Sequence, residues 1–306
     1  MARTLIHLGM PRAASTFFQR EVWPFLEGFQ YAGVDRCQYS RAFQQMLFQD
    51  DSLFDSDAFA HSTAELRRSD ALLSNELFVG QSLYFCSTTR SRTLERLAAA
   101  FPGAEAVIIL RRQVDLLESL YSLAVYAGFS KGPSDFLHPS PIPLAQGQPD
   151  IYPTYEQGEH LESYLYQPLL ALCNKHFSKV HLFFYEDFAE DAEAFCEALC
   201  SRLELSYSRK PHFSRKVNRS FTRMQLRFMR RLNLWKDLHH ASSLGSGLFR
   251  RKVRFIEKYM GWGQRFGFSS EVREALHEYY EPDLKAVYAD LPEGSTLEGF
   301  RKHYLS

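Results

Sequence analysis

An anion-binding loop is the first chemistry that the spacing of residue types suggests. The apolar run Thr4–Leu8 predicts a buried strand, which continues into GMPRAAST (residues 9–16) and then a helical pattern. Backbone N–H groups at a helix start favour an anion, and small residues let the backbone approach it closely. Arg12 adds a fixed positive charge. The alternative is an ordinary helix start after a first strand, with Ser15 as its N-cap.

The loop differs from the Walker A motif of nucleotide triphosphatases. That motif requires GxxxxGK[ST], whereas Ala14 stands five positions after Gly9 and no Lys precedes Ser15 and Thr16. The sequence therefore disfavours a triphosphatase. A P-loop-type nucleotide or small-molecule kinase remains an alternative function.

A second candidate site follows the run Ala106–Leu110, which is the strongest predicted strand. Arg111 lies at its carboxyl end, where open α/β sheets bind ligands. Ser119 comes eight residues later, about two helical turns, so its hydroxyl could share a ligand with Arg111. The alternative is a surface Arg and a helical Ser that bonds its own backbone.

Both segments resemble sequences of the PAPS-dependent sulfotransferases, in particular their bacterial-type branch. LIHLGMPRAASTFFQ resembles the 5′-phosphosulfate loop of that family, and LRRQVDLLESLYS resembles its 3′-phosphate element. Further segments resemble bacterial members: LLSNEL, FFYEDF and KVNRSFTRMQLRFMRRLN. The resemblance covers roughly residues 3–235. It implies an α/β fold with a P-loop-like central parallel sheet flanked by helices, and a helical C-terminal extension.

The resemblance also implies an activity and a set of site residues. The enzyme would move a sulfuryl group from PAPS (3′-phosphoadenosine 5′-phosphosulfate) to a hydroxyl or amine of an acceptor, a carbohydrate or glycan by analogy, and release adenosine 3′,5′-bisphosphate. Arg12 would neutralise charge on the leaving phosphate, and Arg111 and Ser119 would hold the 3′-phosphate. The remaining cofactor contacts would be Pro11, Ala13, Ala14, Ser15, Thr16 and Phe17 in the loop, and Arg215, Lys216 and Asn218 in the C-terminal segment.

One departure from the family pattern concerns the loop backbone. Ala14 occupies the position where the family has Gly. We expect Ala14 to adopt a conformation that residues other than glycine readily accept, as at an ordinary helix start.

Sulfuryl transfer also needs a base that takes the proton of the acceptor. Glu76 is the candidate, since it lies just beyond the predicted strand 71–74 and would face the same crevice as Arg12. The alternatives for Glu76 are a solvated carboxylate or an ion pair with Arg12. His61 and His138 are alternative bases, whereas His7 lies inside the first strand and is expected to be a core residue.

Overall composition excludes some classes of protein. The chain has 306 residues with 36 Lys and Arg against 36 Asp and Glu, so a uniformly basic nucleic-acid binder is disfavoured. The 26 Phe, 16 Tyr and 3 Trp exclude a disordered chain. The five cysteines form no metal-ligand pattern, so we expect no metal and a reducing compartment. Without a signal peptide or a membrane span, the protein is expected to be cytoplasmic.

The zero net charge conceals a basic segment, residues 209–258, with 15 Lys and Arg and only two acidic residues. A multiply anionic cofactor would suit this segment. The alternative is a non-enzymatic binder of anionic surfaces through its basic and aromatic part at 221–235. A peripheral membrane contact through the whole segment 209–258 also remains open.

The remaining patterns predict the elements that position these residues. Another apolar run predicts a strand at 180–184, after which Glu186 is expected to be structural. A long loop is expected at 131–153, where six of the 13 prolines lie. We expect one domain over 1–306, with 208–306 mostly helical. Helices are predicted at 15–25, 41–48, 92–100, 114–126, 159–176, 189–203, 221–235 and 270–284.

Overall fold

The computed structural model describes most of the chain, which divides into two compact units. The first, here the sheet unit, comprises Met1–Arg112, Leu165–Val217 and Tyr280–Ser306. The second unit comprises Gln113–Tyr164 and Asn218–Tyr279. The described residues are 2–33, 37–79, 90–138, 159–213, 221–238, 255, 263–291 and 295–305.

The sheet unit is built on five parallel strands in the order β2-β3-β1-β4-β7. The inner strands β1, β3 and β4 are buried almost throughout, which explains why each reads as a continuous apolar run. The four predicted strands are confirmed, and the short edge strand β2 was not predicted. The strands are β1 (Thr4–Leu8), β2 (Gln30–Gly33), β3 (Ala71–Asn75), β4 (Glu105–Leu110), β5 (Leu137–His138), β6 (Glu159–His160) and β7 (Lys179–Phe184).

Helices flank this sheet, so the predicted α/β fold with a central parallel sheet is confirmed. The first helix continues as a π-helical turn (Phe18–Val22) and a 3-10 turn (Trp23–Phe25). The α-helices are α1 (Ser15–Phe17), α2 (Ser40–Phe48), α3 (Ser56–Ser62), α4 (Arg90–Ala100), α5 (Gln113–Ala127), α6 (Tyr166–His176), α7 (Tyr185–Glu190), α8 (Ala192–Leu203), α9 (Arg223–Leu238), α10 (Ser270–Asp290) and α11 (Ser295–Tyr304).

The helix predicted at 189–203 is instead the end of α7 followed by α8. Asp191 lies between them in an extended conformation (φ −146°, ψ 100°). Its carboxylate accepts hydrogen bonds from the backbone N–H groups of Glu193 and Ala194, so Asp191 is the N-cap of α8. Aspartate is a residue type typical of an N-cap, but the helical periodicity of the sequence continues across position 191, so the sequence predicts one helix.

The helix predicted at 159–176 is also shorter than expected. Its first residues form β6 and a 3-10 turn (Leu161–Tyr164), and α6 begins at Tyr166. The carboxylate of Asp283 accepts hydrogen bonds from the backbone N–H groups of Tyr166 and Gln167 at 2.8 and 2.9 Å. Since this cap comes from a residue more than a hundred positions away, the sequence near α6 does not reveal the helix start.

The second unit contains α5, α9, the first part of α10 and the parallel pair β5-β6. Of the predicted loop at 131–153, positions 139–153 lie outside the described residues, as do Arg215, Lys216 and Asn218. Among the described residues, none of the helices combines the length and the apolar composition needed to cross a bilayer.

Candidate active site at the carboxyl ends of the strands

Three neighbouring strands of the sheet unit bring the predicted catalytic segments together. Leu8, the last residue of β1, is in register with Asn75 of β3 and Ile108 of β4. The loop from Gly9, the carboxylate of Glu76 and the guanidinium of Arg111 follow these three strand ends. Because the strands are parallel, all three segments start at one edge of the sheet, the edge at which α/β proteins bind ligands.

Gly9 allows the first two strand ends to approach closely. Its N–H donates a hydrogen bond to the Asn75 carbonyl oxygen at 3.2 Å, which extends the pairing of β1 with β3. A Cβ atom at Gly9 would lie 3.2 Å from the Glu76 backbone and 3.2 Å from the Ser15 hydroxyl. A side chain here would therefore push Glu76 away from the loop.

The loop backbone differs from the sequence expectation at Ala14. This residue has φ 62° and ψ 8°, in the left-handed region that favours glycine, so the expectation of an ordinary backbone conformation is wrong. Arg12 is also left-handed, with φ 62°. The backbone at Ala14 is therefore one that glycine adopts without strain.

The loop presents a short run of open backbone N–H groups. Phe17 N–H donates to the Ala14 carbonyl oxygen at 2.8 Å, whereas no described residue accepts from the N–H groups of Ala14, Ser15 or Thr16. The Ser15 hydroxyl donates to the Met10 carbonyl oxygen at 2.9 Å. Ser15 is therefore not the N-cap that the alternative required, since Ala14 occupies that position. Three adjacent N–H donors suit an anion with several oxygens.

The other loop positions hold this arrangement in place. Pro11, Ala13 and Phe17 are buried. The Phe17 ring centroid lies 5.1 Å from that of Phe188 and 5.9 Å from that of Phe213, within an aromatic cluster of the core. These buried side chains anchor the loop backbone to the core.

Arg12, Arg111 and Glu76 lie within electrostatic reach of one another. The Arg111 Nη1 donates a hydrogen bond to the Arg12 carbonyl oxygen at 2.7 Å. Burial and, after it, the Arg111 charge lower the pKa of Arg12, while the Glu76 carboxylate and Tyr185 raise it. Two guanidinium groups against one carboxylate leave an excess of positive charge, which attracts an anion. This interaction also agrees with the alternative of an ion pair between Glu76 and Arg12.

Arg111 is supported by residues that the sequence did not single out. Its guanidinium lies 4.5 Å from the centroid of the Tyr185 ring, a cation–π contact. The Tyr166 hydroxyl donates to the Arg111 carbonyl oxygen. The YED segment placed Tyr185 near a strand end, whereas no local signal pointed to Tyr166.

Glu186 holds the end of β4, which agrees with its expected structural role. Its carboxylate accepts a hydrogen bond from the Arg112 backbone N–H at 2.9 Å and one from the Tyr304 hydroxyl at 3.4 Å. Burial raises the pKa of Glu186, and the bond from Arg112 opposes that increase. Glu186 therefore stabilises the turn that carries Arg111.

An unsatisfied donor in the site provides a test of whether an anion fits. The Arg111 Nε is buried and has no hydrogen-bond partner among the described residues. A buried donor without a partner costs about 1–3 kcal/mol. Together with the open N–H groups of the loop, this donor fits the oxygens of a phosphate or sulfate group.

The remaining candidates lie elsewhere. His7 is fully buried, its Nδ1 lies 2.7 Å from the Ser74 hydroxyl, and burial lowers its pKa to about 3, as expected for a neutral core residue. His61 is exposed on α3. Ser119 is half-buried on α5 of the second unit, and the side chain of His138 lies outside the described residues.

Comparison with solved structures finds sulfotransferases, although no protein-family model and no curated protein matches the chain. The crystal structure of a sulfotransferase from Alicyclobacillus acidocaldarius covers 98% of this chain and 99% of its own, with a TM-score of 0.54 and 14% identity. A sulfotransferase domain from the curacin biosynthetic pathway covers 68% of this chain and 76% of its own, with 12% identity. Its TM-score of 0.39 is too low to bear on the fold. Over nearly its full length, the chain therefore has the fold of the Alicyclobacillus sulfotransferase.

Proposed function

We propose that this chain is a PAPS-dependent sulfotransferase whose acceptor is a hydroxyl or amine of a carbohydrate or glycan. The observation that carries the proposal is the convergence of Arg12, Arg111 and Glu76 at three adjacent strand ends. These residues are the ones that the family motifs single out, and the sulfotransferase fold agrees with that assignment. The acceptor class rests on the resemblance to the bacterial-type branch.

Binding of the donor falls to the loop and to Arg111. The open N–H groups of Ala14, Ser15 and Thr16 would hold the 5′-phosphosulfate, and the unpartnered Nε of Arg111 would contact the 3′-phosphate. The resemblance assigns Ser119, Arg215, Lys216 and Asn218 to the nucleotide as well. When bound, PAPS supplies a sulfuryl group whose bond to the phosphate oxygen breaks as a bond to the acceptor oxygen or nitrogen forms.

The catalytic work of the chain is then charge stabilisation and proton removal. The Arg12 guanidinium would stabilise the negative charge that develops on the leaving phosphate oxygen. Glu76 would accept the proton of the acceptor, so that the products are the sulfated acceptor, adenosine 3′,5′-bisphosphate and one proton. The electrostatic interaction between the Arg12 guanidinium and the Glu76 carboxylate supports a role for both groups at one site.

Calorimetric titration with adenosine 3′,5′-bisphosphate tests the site assignment. Arg111→Ala should weaken binding at least tenfold, because it removes charge-assisted hydrogen bonds worth about 1.5–3 kcal/mol. Arg112→Ala is the matched control: it removes the same charge one residue away, from an exposed side chain, and should change affinity by less than twofold. Equal losses in both variants would reject the site, and tighter binding of ATP than of the bisphosphate would favour a kinase.

A labelled-PAPS assay with a panel of sugar and phenol acceptors completes the test. Glu76→Gln should retain bisphosphate affinity and lose turnover, because the amide cannot accept the proton. Full turnover by this variant would remove Glu76 from the mechanism. A wild-type protein that binds the bisphosphate and sulfates no carbohydrate would overturn only the acceptor class.

A further inference from the structure

A cleft in the second unit carries positive charge that the proposed active site does not use. Its volume is about 340 Å³. Three arginines and three ring side chains line it: Arg223, Arg227, Arg230, Tyr121, Pro133 and Phe266. We refer to it as the arginine cleft.

The helix α9 places the three arginines on one face. Arg223, Arg227 and Arg230 are separated by four and then three residues, the spacing of neighbouring side chains along a helix. A capping box fixes the helix start, because Gln225 N–H donates to the Thr222 hydroxyl at 3.2 Å and Thr222 N–H donates to the Gln225 side chain at 2.9 Å. The row of guanidinium groups is therefore anchored at its first turn.

Packing of the second unit fixes the aromatic wall of the cleft. Phe266 N–H donates to the Phe221 carbonyl oxygen at 3.0 Å, just before α9. The Phe266 ring centroid lies 5.0 Å from that of Tyr121, whose hydroxyl donates to the Lys131 carbonyl oxygen at 3.1 Å. Burial raises the pKa of Tyr121 to about 12, so the phenol stays neutral. The wall is therefore uncharged and is held by these contacts.

The acidic residues near the cleft already have partners. Glu118 forms an ion pair with Arg273 at 2.5 Å, and Asp115 contacts the same guanidinium at 3.3 Å. Asp135 accepts a hydrogen bond from the Gly132 N–H at 2.9 Å. Among the described residues, no carboxylate forms an ion pair with any of the three cleft arginines. Their charge is therefore available to a ligand.

From this arrangement we infer that the arginine cleft binds an organic anion in which a negatively charged group is carried by a single aromatic or sugar ring. Arginine pairs with sulfate, phosphate or carboxylate oxygens through paired donors. The neutral side chains of Phe266 and Pro133 suit the face of a ring, and the buried Tyr121 packs against Phe266. The volume lies at the lower end of the range for small-molecule sites, about 300–1,000 Å³, which matches one or two rings. The inference is independent of the proposed function, since none of the residues that line the cleft is assigned to the donor or to catalysis.

Binding of 4-nitrophenyl sulfate to the full chain tests this inference. Arg223→Gln combined with Arg227→Gln should weaken binding at least tenfold, because two charge-assisted contacts are lost. The matched control is Arg231→Gln, an exposed arginine of the same helix outside the cleft, which should change affinity by less than twofold. All the substituted side chains are exposed, so each variant should fold, and a thermal melt checks this.

Three further titrations distinguish the parts of the inference. Neutral 4-nitrophenyl β-glucoside should bind at least tenfold more weakly than the sulfate ester, and so should inorganic sulfate alone. Binding of 4-nitrophenyl sulfate should persist when adenosine 3′,5′-bisphosphate is saturating. The inference is overturned by absent binding, by equal affinity of the double variant and the Arg231 control, by equal affinity of either comparison probe, or by full displacement by the bisphosphate.

Discussion

The left-handed backbone of Ala14 makes the substitution Ala14→Gly a direct test of the loop geometry. The residue has φ 62° and ψ 8°, and its side chain is half-buried, so only part of its packing is lost with the methyl group. A left-handed conformation costs an L-residue about 1–2 kcal/mol that glycine does not pay. Glycine in turn loses about 0.5–1 kcal/mol more conformational entropy on folding. Ala14→Gly should therefore stabilise the protein by about 0.5–1 kcal/mol.

Two substitutions provide controls for this prediction. Ala13→Gly, one residue earlier, removes a buried methyl group from a position outside the left-handed region and should cost about 1.5 kcal/mol. Glu204→Gly, at the exposed C-terminal end of α8, relieves the same conformation (φ 55°) far along the chain and should stabilise the protein by about the same amount as Ala14→Gly.

Urea unfolding at pH 7 measures these differences, and a thermal melt should show an increase in Tm of about 2 °C for Ala14→Gly. The decisive comparison is between the two alanines. If Ala14→Gly destabilises the protein as much as Ala13→Gly does, while Glu204→Gly stabilises it, the loop does not adopt the left-handed conformation at Ala14.

Two further predictions concern charged residues at opposite ends of β4. Glu105 forms an ion pair with Arg3 at 2.7 Å, and mainly because of this hydrogen bond the pKa of Glu105 is lowered from 4.5 to about 2. The resulting stabilisation of the folded state is about 2 kcal/mol after allowance for solvent screening. It is fully present above pH 4.5 and is lost as the pH falls towards 2. Urea unfolding of Glu105→Gln should accordingly show lower stability at pH 7 and a flatter profile between pH 5 and 3; an unchanged slope would contradict this. Tyr185→Leu, which removes the ring beneath Arg111, should weaken bisphosphate binding about fivefold in calorimetry, whereas Tyr185→Phe should not, and equal affinities would exclude the cation–π contact.

The residues that follow the strands were predictable because of how parallel sheets read in sequence. Strands buried on both faces form continuous apolar runs, so the ends of β1, β3 and β4 could be located to within a residue. Since parallel strands share their carboxyl edge, the positions of Arg12, Glu76 and Arg111 follow from those ends alone. A local pattern therefore sufficed for the part of the site that the sheet itself creates.

The supports of the site were not predictable, because they come from distant parts of the chain. Tyr166, which bonds the Arg111 carbonyl oxygen, is 55 residues away in sequence, and Asp283, which caps the helix that begins at Tyr166, is 117 residues beyond that position. Neither residue has a pattern that links it to its partner. Such contacts depend on how α6 and α10 pack, which hydrophobic periodicity does not specify.

The backbone of the loop after β1 depends both on its place after a predictable strand and on contacts with the core that the sequence does not predict. Two residues other than glycine, Arg12 and Ala14, occupy the left-handed region within three positions. Such strain persists only where the surroundings determine the conformation, and here buried Ala13 and Phe17 and the Met10 carbonyl oxygen, which accepts the Ser15 hydroxyl, do so. The open N–H groups are thus oriented before any anion binds. Packing in the core of the sheet unit offsets the strain energy of the two left-handed residues. A loop held in this way loses little entropy on binding, which favours affinity for the anion.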